Sequence, residues 1–355
     1  MEQAEIEAAQ FLRYTLQLIA DSQGNPQQVY PIWEQQQVRL NNALLEVFPQ
    51  VVKWFYEQKG EQRTFVADYV FAFGNLINQF PSGSHSLNLE LGIAAYELAL
   101  EVYTPEAFPG EWARTQSNLA IAYSERIQGK RPDNLEQAVT AYKLALQVYT
   151  PEAFPGEWAR TQSNLATVYS DSVWKERAGN LEQAITAYKL ALQVYTTEAF
   201  PREWARTQSN LADAYSDPIW KECADNLEQA IAAYKLALQV YTPEAFPEEW
   251  ARTQSNLATV YLERVQENRT DNLEQAIAAC ELALQVYTRE IFPEQWAMIQ
   301  NNLATIYLDR IQEERVDNLK QAIAAYQQAL QVLTYDAFPQ QWAMIQNNLA
   351  TAYLD

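Results

Sequence analysis

Histidine is nearly missing from this chain: His85 is the only one in 355 residues. It stands in the polar stretch "SGSHSLN", where it is expected to be a solvated loop residue. Cysteine is almost as scarce. Cys223 and Cys280 are too few for a disulfide framework and fit a reducing cytosol. No cluster of histidine and cysteine has metal-ligand spacing. A Cys–His dyad would need a cysteine beside His85, yet Cys223 and Cys280 lie three and four repeats downstream. The nine glycines all lie at or before Gly179 and form neither a GxxxxGK[ST] nor a GxGxxG loop. No catalytic residue, metal or cofactor is therefore expected.

Basic charge is in deficit as well. Lysine and arginine total 25 against 45 aspartate and glutamate, a formal charge of −20. The long-range field of such a chain repels a phosphate backbone, so nucleic acid is not an expected partner. No apolar run approaches the roughly 20 residues that cross a bilayer, so no membrane partner is expected. The N-terminus "MEQAEIEAAQ" lacks the basic and apolar regions of a signal peptide. The expected location is cytoplasmic.

What is present is repetition. "TPEAFPGEW" occupies Thr104 to Trp112 and recurs unchanged at Thr150 to Trp158. Variants begin at Thr196, Thr242, Thr288 and Thr334. Trp112, Trp158, Trp204, Trp250, Trp296 and Trp342 are each 46 residues apart. A period in this range marks a solenoid, propeller or array. Each unit holds two helical patterns and nothing with period two. In "PGEWARTQSNLATVYSDSVWKE", Trp158, Leu165, Tyr169 and Val173 share one face; in "NLEQAITAYKLALQVY", Leu181, Ala184, Ile185, Tyr188, Ala191, Leu192 and Tyr195 form a broad apolar stripe. Asn180, with Gln183 three residues on, is expected to cap the second helix as a capping box. The fold class is all-α.

Within the connector, threonine followed by proline predicts a capped short turn. Phenylalanine before proline is biased away from the α region and ends that turn. The proline then opens the next helix, and the phenylalanine and tryptophan wedge between neighbouring repeats.

Leu165, Ala166 and Tyr169, followed by Ala184, Tyr188 and Ala191, resemble the large/small/aromatic pattern of the tetratricopeptide repeat (TPR). That resemblance implies a right-handed superhelical α-solenoid of helix pairs, helix A and helix B, with helix A lining a concave face. The standard unit has about 34 residues, so about 12 are added. Half lie in the connector. The other half are expected to extend helix A, because Ile127, Val173, Ile219, Val265 and Ile311 fall four residues after the tyrosine column. The repeats also resemble those of cyanobacterial TPR proteins that end in a CHAT domain, a caspase-like protease fold. The CHAT domain itself is absent, so that resemblance implies a recognition or regulatory array.

The expected domains are a helical cap at 1–61, a degenerate first repeat at 62–107, five 46-residue repeats at 108–338, and helix A of an incomplete sixth at 339–355. The cap is read as a helix near 3–20, a break at "SQGNPQQ", and a helical stretch from 32 to 58 interrupted near Pro49; it should cover the apolar face of the first repeat. Leu349, Ala350 and Tyr353 keep the internal apolar pattern, from which a longer native protein is expected.

On helix A, with Leu165 as position seven, position two carries Arg114, Arg160, Arg206 and Arg252, then Met298 and Met344. Position five carries Ser117, Ser163, Ser209 and Ser255, then Asn301 and Asn347; position nine is Ile121, Thr167, Asp213, Thr259, Thr305 and Thr351. Position six is asparagine throughout: Asn118, Asn164, Asn210, Asn256, Asn302 and Asn348. The family resemblance implies that these asparagines bond a bound peptide's backbone. The arginines suit carboxylates or phosphates, or else pair with Glu111, Glu157, Glu203 and Glu249 three residues earlier. The switch to methionine predicts a more apolar groove in the last units. Trp174 and Trp220, outside the repeated column, are expected to form an exposed aromatic ridge. The functional expectation is a non-catalytic scaffold binding a protein or peptide, including an acidic segment. Self-assembly through the open C-terminal face is the alternative reading, and a cysteine hydrolase the third.

Overall fold

A computed structural model describes residues 3–172, 176–220, 224–264, 268–310 and 315–354. Among these, sixteen α-helices are joined by turns, and no strand occurs. Two compact units divide the chain, Met1–Ala187 and Tyr188–Asp355.

The first unit opens with α1 (Gln3–Ser22), α2 (Pro26–Gln35) and α3 (Asn42–Lys59). Gln23 and Gly24 turn the chain with positive φ of 54° and 72°. Asn25 then caps α2, its side chain accepting from the Gln27 amide at 3.0 Å. The second break lies at 36–41 and not at Pro49, which sits inside α3. The reason is local: Asn41 is extended, and its side chain accepts from the Leu44 amide at 3.2 Å, a complete start signal. The helix pair α4 (Arg63–Gln79) and α5 (His85–Leu100) follows. Phe11, Leu12, Trp33, Phe48 and Phe73 share one core with Leu91, Ala95 and Leu98 of α5. Helices α1–α3 thus pack on the first pair. His85 opens α5 after its cap Ser84 and is not a loop residue.

Next come α6 (Pro109–Glu125), α7 (Arg131–Ala145), α8 (Pro155–Asp171) and the start of α9 (Arg177–Ala191), which runs on into the second unit. The second unit continues with α10 (Pro201–Tyr215), α11 (Ala224–Ala237), α12 (Pro247–Glu263), α13 (Arg269–Ala283), α14 (Pro293–Asp309), α15 (Arg315–Ala329) and α16 (Pro339–Leu354). Fully buried alanines, Ala120 and Ala138 in one pair and Ala258 and Ala276 in another, allow close helix approach. Buried Tyr142 and Tyr234 fill the gaps between them.

The connectors behave as read. Thr150 Oγ1 accepts from the Ala153 amide at 3.2 Å, and the Phe154 amide donates to the Thr150 carbonyl at 2.9 Å. Phe154 sits at φ −140°, ψ 62°, outside the helical region, and Pro155 opens α8. The phenylalanine ring packs on the tyrosine just after the preceding helix, Tyr149 against Phe154 at 5.4 Å.

Two expectations about the helix ends are overturned. Helix A is not extended: α6 stops at Glu125, and Ile127 lies beyond it, 62% exposed. Ile219 falls in a separate 3-10 turn, Pro218–Trp220, because Asp217 precedes a proline and is biased out of the helix. Val173, Val265 and Ile311 lie outside the described residues. Helix B starts three residues early, at Arg131 in α7, so Asn134 is no cap. Its buried amide instead donates to the carbonyls of Arg126 and Gln128, at 3.2 and 2.8 Å. Asn88, Asn180, Asn272 and Asn318 tie the preceding loop in the same way. The buried asparagine amide needs acceptors, and the part-buried loop carbonyls supply them.

Candidate interaction surface

Position two of helix A keeps its arginines exposed: Arg114, Arg160, Arg206 and Arg252. None of the expected ion pairs to the glutamate three residues earlier forms among the described residues. Other arginines of the repeats are neutralised across helices: Arg126 by Glu90, Arg264 by Glu228, Arg269 by Asp309 and Arg310 by Glu274. Glu249 itself is taken by Arg202 of the preceding helix A, at 3.1 Å. Arg114 lies over the Phe71 ring, 4.6 Å from its centre. Arg160, Arg206 and Arg252 make no ion pair with a described residue.

Buried tyrosines interleave with this column. Burial raises the Tyr149 hydroxyl pKa, and Arg160 and Arg114 act against that shift. Tyr241 is placed likewise between Arg252 and Arg206. At the start of the array Asp68 takes the arginine position, and the Tyr103 hydroxyl donates to it. This tyrosine column was not singled out in the sequence. Its constant offset of 35 residues from the arginines was the available signal.

The position-six asparagines are half-buried and turn towards the tyrosine of the preceding helix B. Asn118 Nδ2 donates to Asn75 Oδ1 at 2.8 Å, which also accepts the Tyr96 hydroxyl at 2.9 Å. In the second unit, Asp213 Oδ1 accepts both the Tyr234 hydroxyl and Asn256 Nδ2, the latter at 3.0 Å. Asn164 stands by Tyr142 and Asn348 by Tyr326. Asn210 and Asn302 are half-buried too. Each amide keeps further donor and acceptor capacity.

Position five faces inward at Ser117, Ser163 and Ser209, which are buried, whereas Ser255 and Asn301 are half-buried and Asn347 is exposed; Ser117 Oγ meets Thr161 Oγ1 of the next helix A at 3.3 Å. Small residues are needed where α6 and α8 touch. In the last units Met298 and Met344 are 58% and 50% exposed, the apolar surface expected there. Trp174 lies outside the described residues. Trp220 is half-buried in its 3-10 turn, so it does not stand as an exposed ridge on a helix end. Cys280 is buried, and burial pushes its thiol up to about 12, which leaves it unreactive near neutrality. Cys223 lies outside the described residues. No group of three or more metal-type ligands and no membrane-length apolar helix occurs among the described residues.

Between α10 and α12 a cavity of about 610 Å³ opens beside Arg202, Arg206, Tyr241, Glu249, Arg252 and Tyr287. Tyr241 and Tyr287 are buried, and the Tyr287 hydroxyl donates to the Glu248 carbonyl at 3.1 Å. The arginines therefore lie beside a fixed aromatic floor.

No family model matches the sequence, and no curated protein matches it. Among solved structures it is similar to a chain of the APC/C hetero-tetramer Cut9-Hcn1, a TPR-repeat protein, with a TM-score of 0.51 and 15% identity. The similarity covers 96% of this chain and 52% of that one, so this chain spans about half its length. At this identity the likeness speaks for architecture alone. The fold is all-α and built of TPR-like helix pairs.

Proposed function

We propose that the chain is a non-catalytic interaction scaffold that holds a protein or peptide segment on its helix A faces. The carrying observation is that Arg160, Arg206 and Arg252 are exposed and make no ion pair with a described residue, while six other arginines of the repeats are neutralised by carboxylates of neighbouring helices. An acidic segment is the matching partner. The position-six asparagines add amide contacts to its backbone, and Met298 and Met344 add adaptable apolar contact. A sensor role within a larger CHAT-domain protein rests on the resemblance of the repeat sequence alone.

The test selects displayed random peptides on the full chain and titrates the enriched ones. Replacing Arg160, Arg206 and Arg252 together by alanine should leave the helical spectrum unchanged and weaken those peptides about tenfold or more, as losing charge-assisted contacts does. Unchanged affinity would overturn the arginine assignment. Self-association is the second reading, favoured by the exposed Met344, Tyr353 and Leu354 on α16. A solution mass that stays monomeric at high concentration eliminates it.

A further inference from the structure

Resting on the groove reading above, we infer that α10 and α12 read a bipolar segment, with an anionic group at Arg206 and Arg252 and a cationic group beside Asp213. The two subsites lie on the same pair of helices. Arg206 and Asp213 are seven residues apart on α10, about 10 Å along the axis. The first subsite is the 610 Å³ cavity already described. The second is a smaller cavity of about 280 Å³, lined by Asp213, Asp217, Tyr234, Asn256, Thr259 and Glu263.

The carboxylate of Asp213 is surplus to the fold. Its Oδ1 accepts from Tyr234 and Asn256, and a side-chain amide oxygen can do both. The same chain shows this: Asn75, at the same position of α4, accepts from Tyr96 and Asn118 through its own Oδ1. Elsewhere the position holds isoleucine or threonine. The charge thus adds nothing that the hydrogen bonds require. Desolvation raises the Asp213 pKa, and the hydrogen bonds from Tyr234 and Asn256 and the charge of Arg252 only partly offset it, so the fold bears a cost for the charge. A cationic group from a partner would offset that cost.

On the other side of the arginines, Glu203 and Glu248 border the first cavity. Together with Asp213 they disfavour a second acid next to the one bound at Arg206 and Arg252. A partner therefore needs an acidic residue and a basic residue about 10 Å apart. That is three residues in a polyproline-II segment, or seven in a helix.

The experiment is the displayed-peptide selection on the full chain, repeated with Asp213→Asn and with the Arg206→Ala, Arg252→Ala double variant. Asp213→Asn keeps both internal hydrogen bonds, and thermal unfolding by circular dichroism checks its fold. Wild-type peptides should pair Asp or Glu with Lys or Arg at one of the two spacings. Replacing that base by glutamine in a selected peptide should cost the wild type about fivefold and Asp213→Asn almost nothing, the range for a partly exposed ion pair. Equal loss in both proteins, or wild-type peptides with an acid and no base, overturns the bipolar assignment and leaves the groove reading intact. No enrichment on the wild type, or enrichment unaffected by the double arginine variant, overturns both.

Discussion

The amide of Asn134 reaches back eight residues to the Arg126 carbonyl and six to that of Gln128, closing the loop between the two helices of its repeat. Asn134 is 2% exposed. Replacing it with alanine removes two part-buried hydrogen bonds to the loop carbonyls, so stability should fall by about 1–3 kcal/mol. Urea titration reads this as a lower midpoint at unchanged slope. A midpoint equal to wild type would remove the clamp as a source of stability.

Thr150 caps the connector turn through its hydroxyl. Thr150→Ala should cost about 0.5–2 kcal/mol, the usual range for a lost cap. Thr150→Ser keeps the acceptor and should cost clearly less. Thermal unfolding of the two variants separates cap from packing, because only packing is lost in both.

Two ion pairs should differ sharply in value. Arg126 holds Glu90 through two bonds at 2.8 and 2.7 Å, with the Glu90 side chain only 9% exposed. Lys53 and Glu101 meet at 3.0 Å with side chains 55% and 46% exposed. Glu90→Gln should lower stability by about 1–3 kcal/mol, since it weakens a largely buried charged pair. Glu101→Gln should change it by less than about 0.5 kcal/mol. Comparable losses in both would refute the argument from burial.

Asp213 should make stability pH-dependent in an unusual direction. Its folded pKa is raised, so ionisation opposes folding, and the penalty grows as pH rises through the folded pKa. Below the ordinary aspartate value of about 4 the group is neutral in both states and the penalty vanishes. Asp213→Asn should therefore unfold at a higher temperature than wild type near neutrality, and the gap should close in acid. A gap that widens on acidification would mean the opposite shift.

Much of the fold was legible in advance. The 46-residue period, the two apolar stripes and the Thr-Pro…Phe-Pro punctuation express backbone chemistry that acts within a few residues. Proline removes a donor and restricts its predecessor wherever it stands, so the connector could be read without neighbours. The helix ends were less legible. Asn134 has the chemistry of a cap, and only the packed loop shows the carbonyls to which its amide donates instead. Pro49 likewise suggested a break that Asn41 supplies elsewhere.

For the candidate surface, the sequence by itself determined which columns exist and what chemistry each carries: arginine at position two, asparagine at position six, and tyrosines at constant offsets. Local spacing on a helix face settles that much. Only the tertiary structure decided the pairing. It left Arg160, Arg206 and Arg252 without the adjacent glutamates and gave Glu249 to Arg202 of the preceding helix. It also set Asp213 against Tyr234 and Asn256, residues 21 and 43 positions away. Ion pairs and hydrogen bonds form between groups close in space, and in an array of helix pairs the nearest partner often lies most of a repeat away.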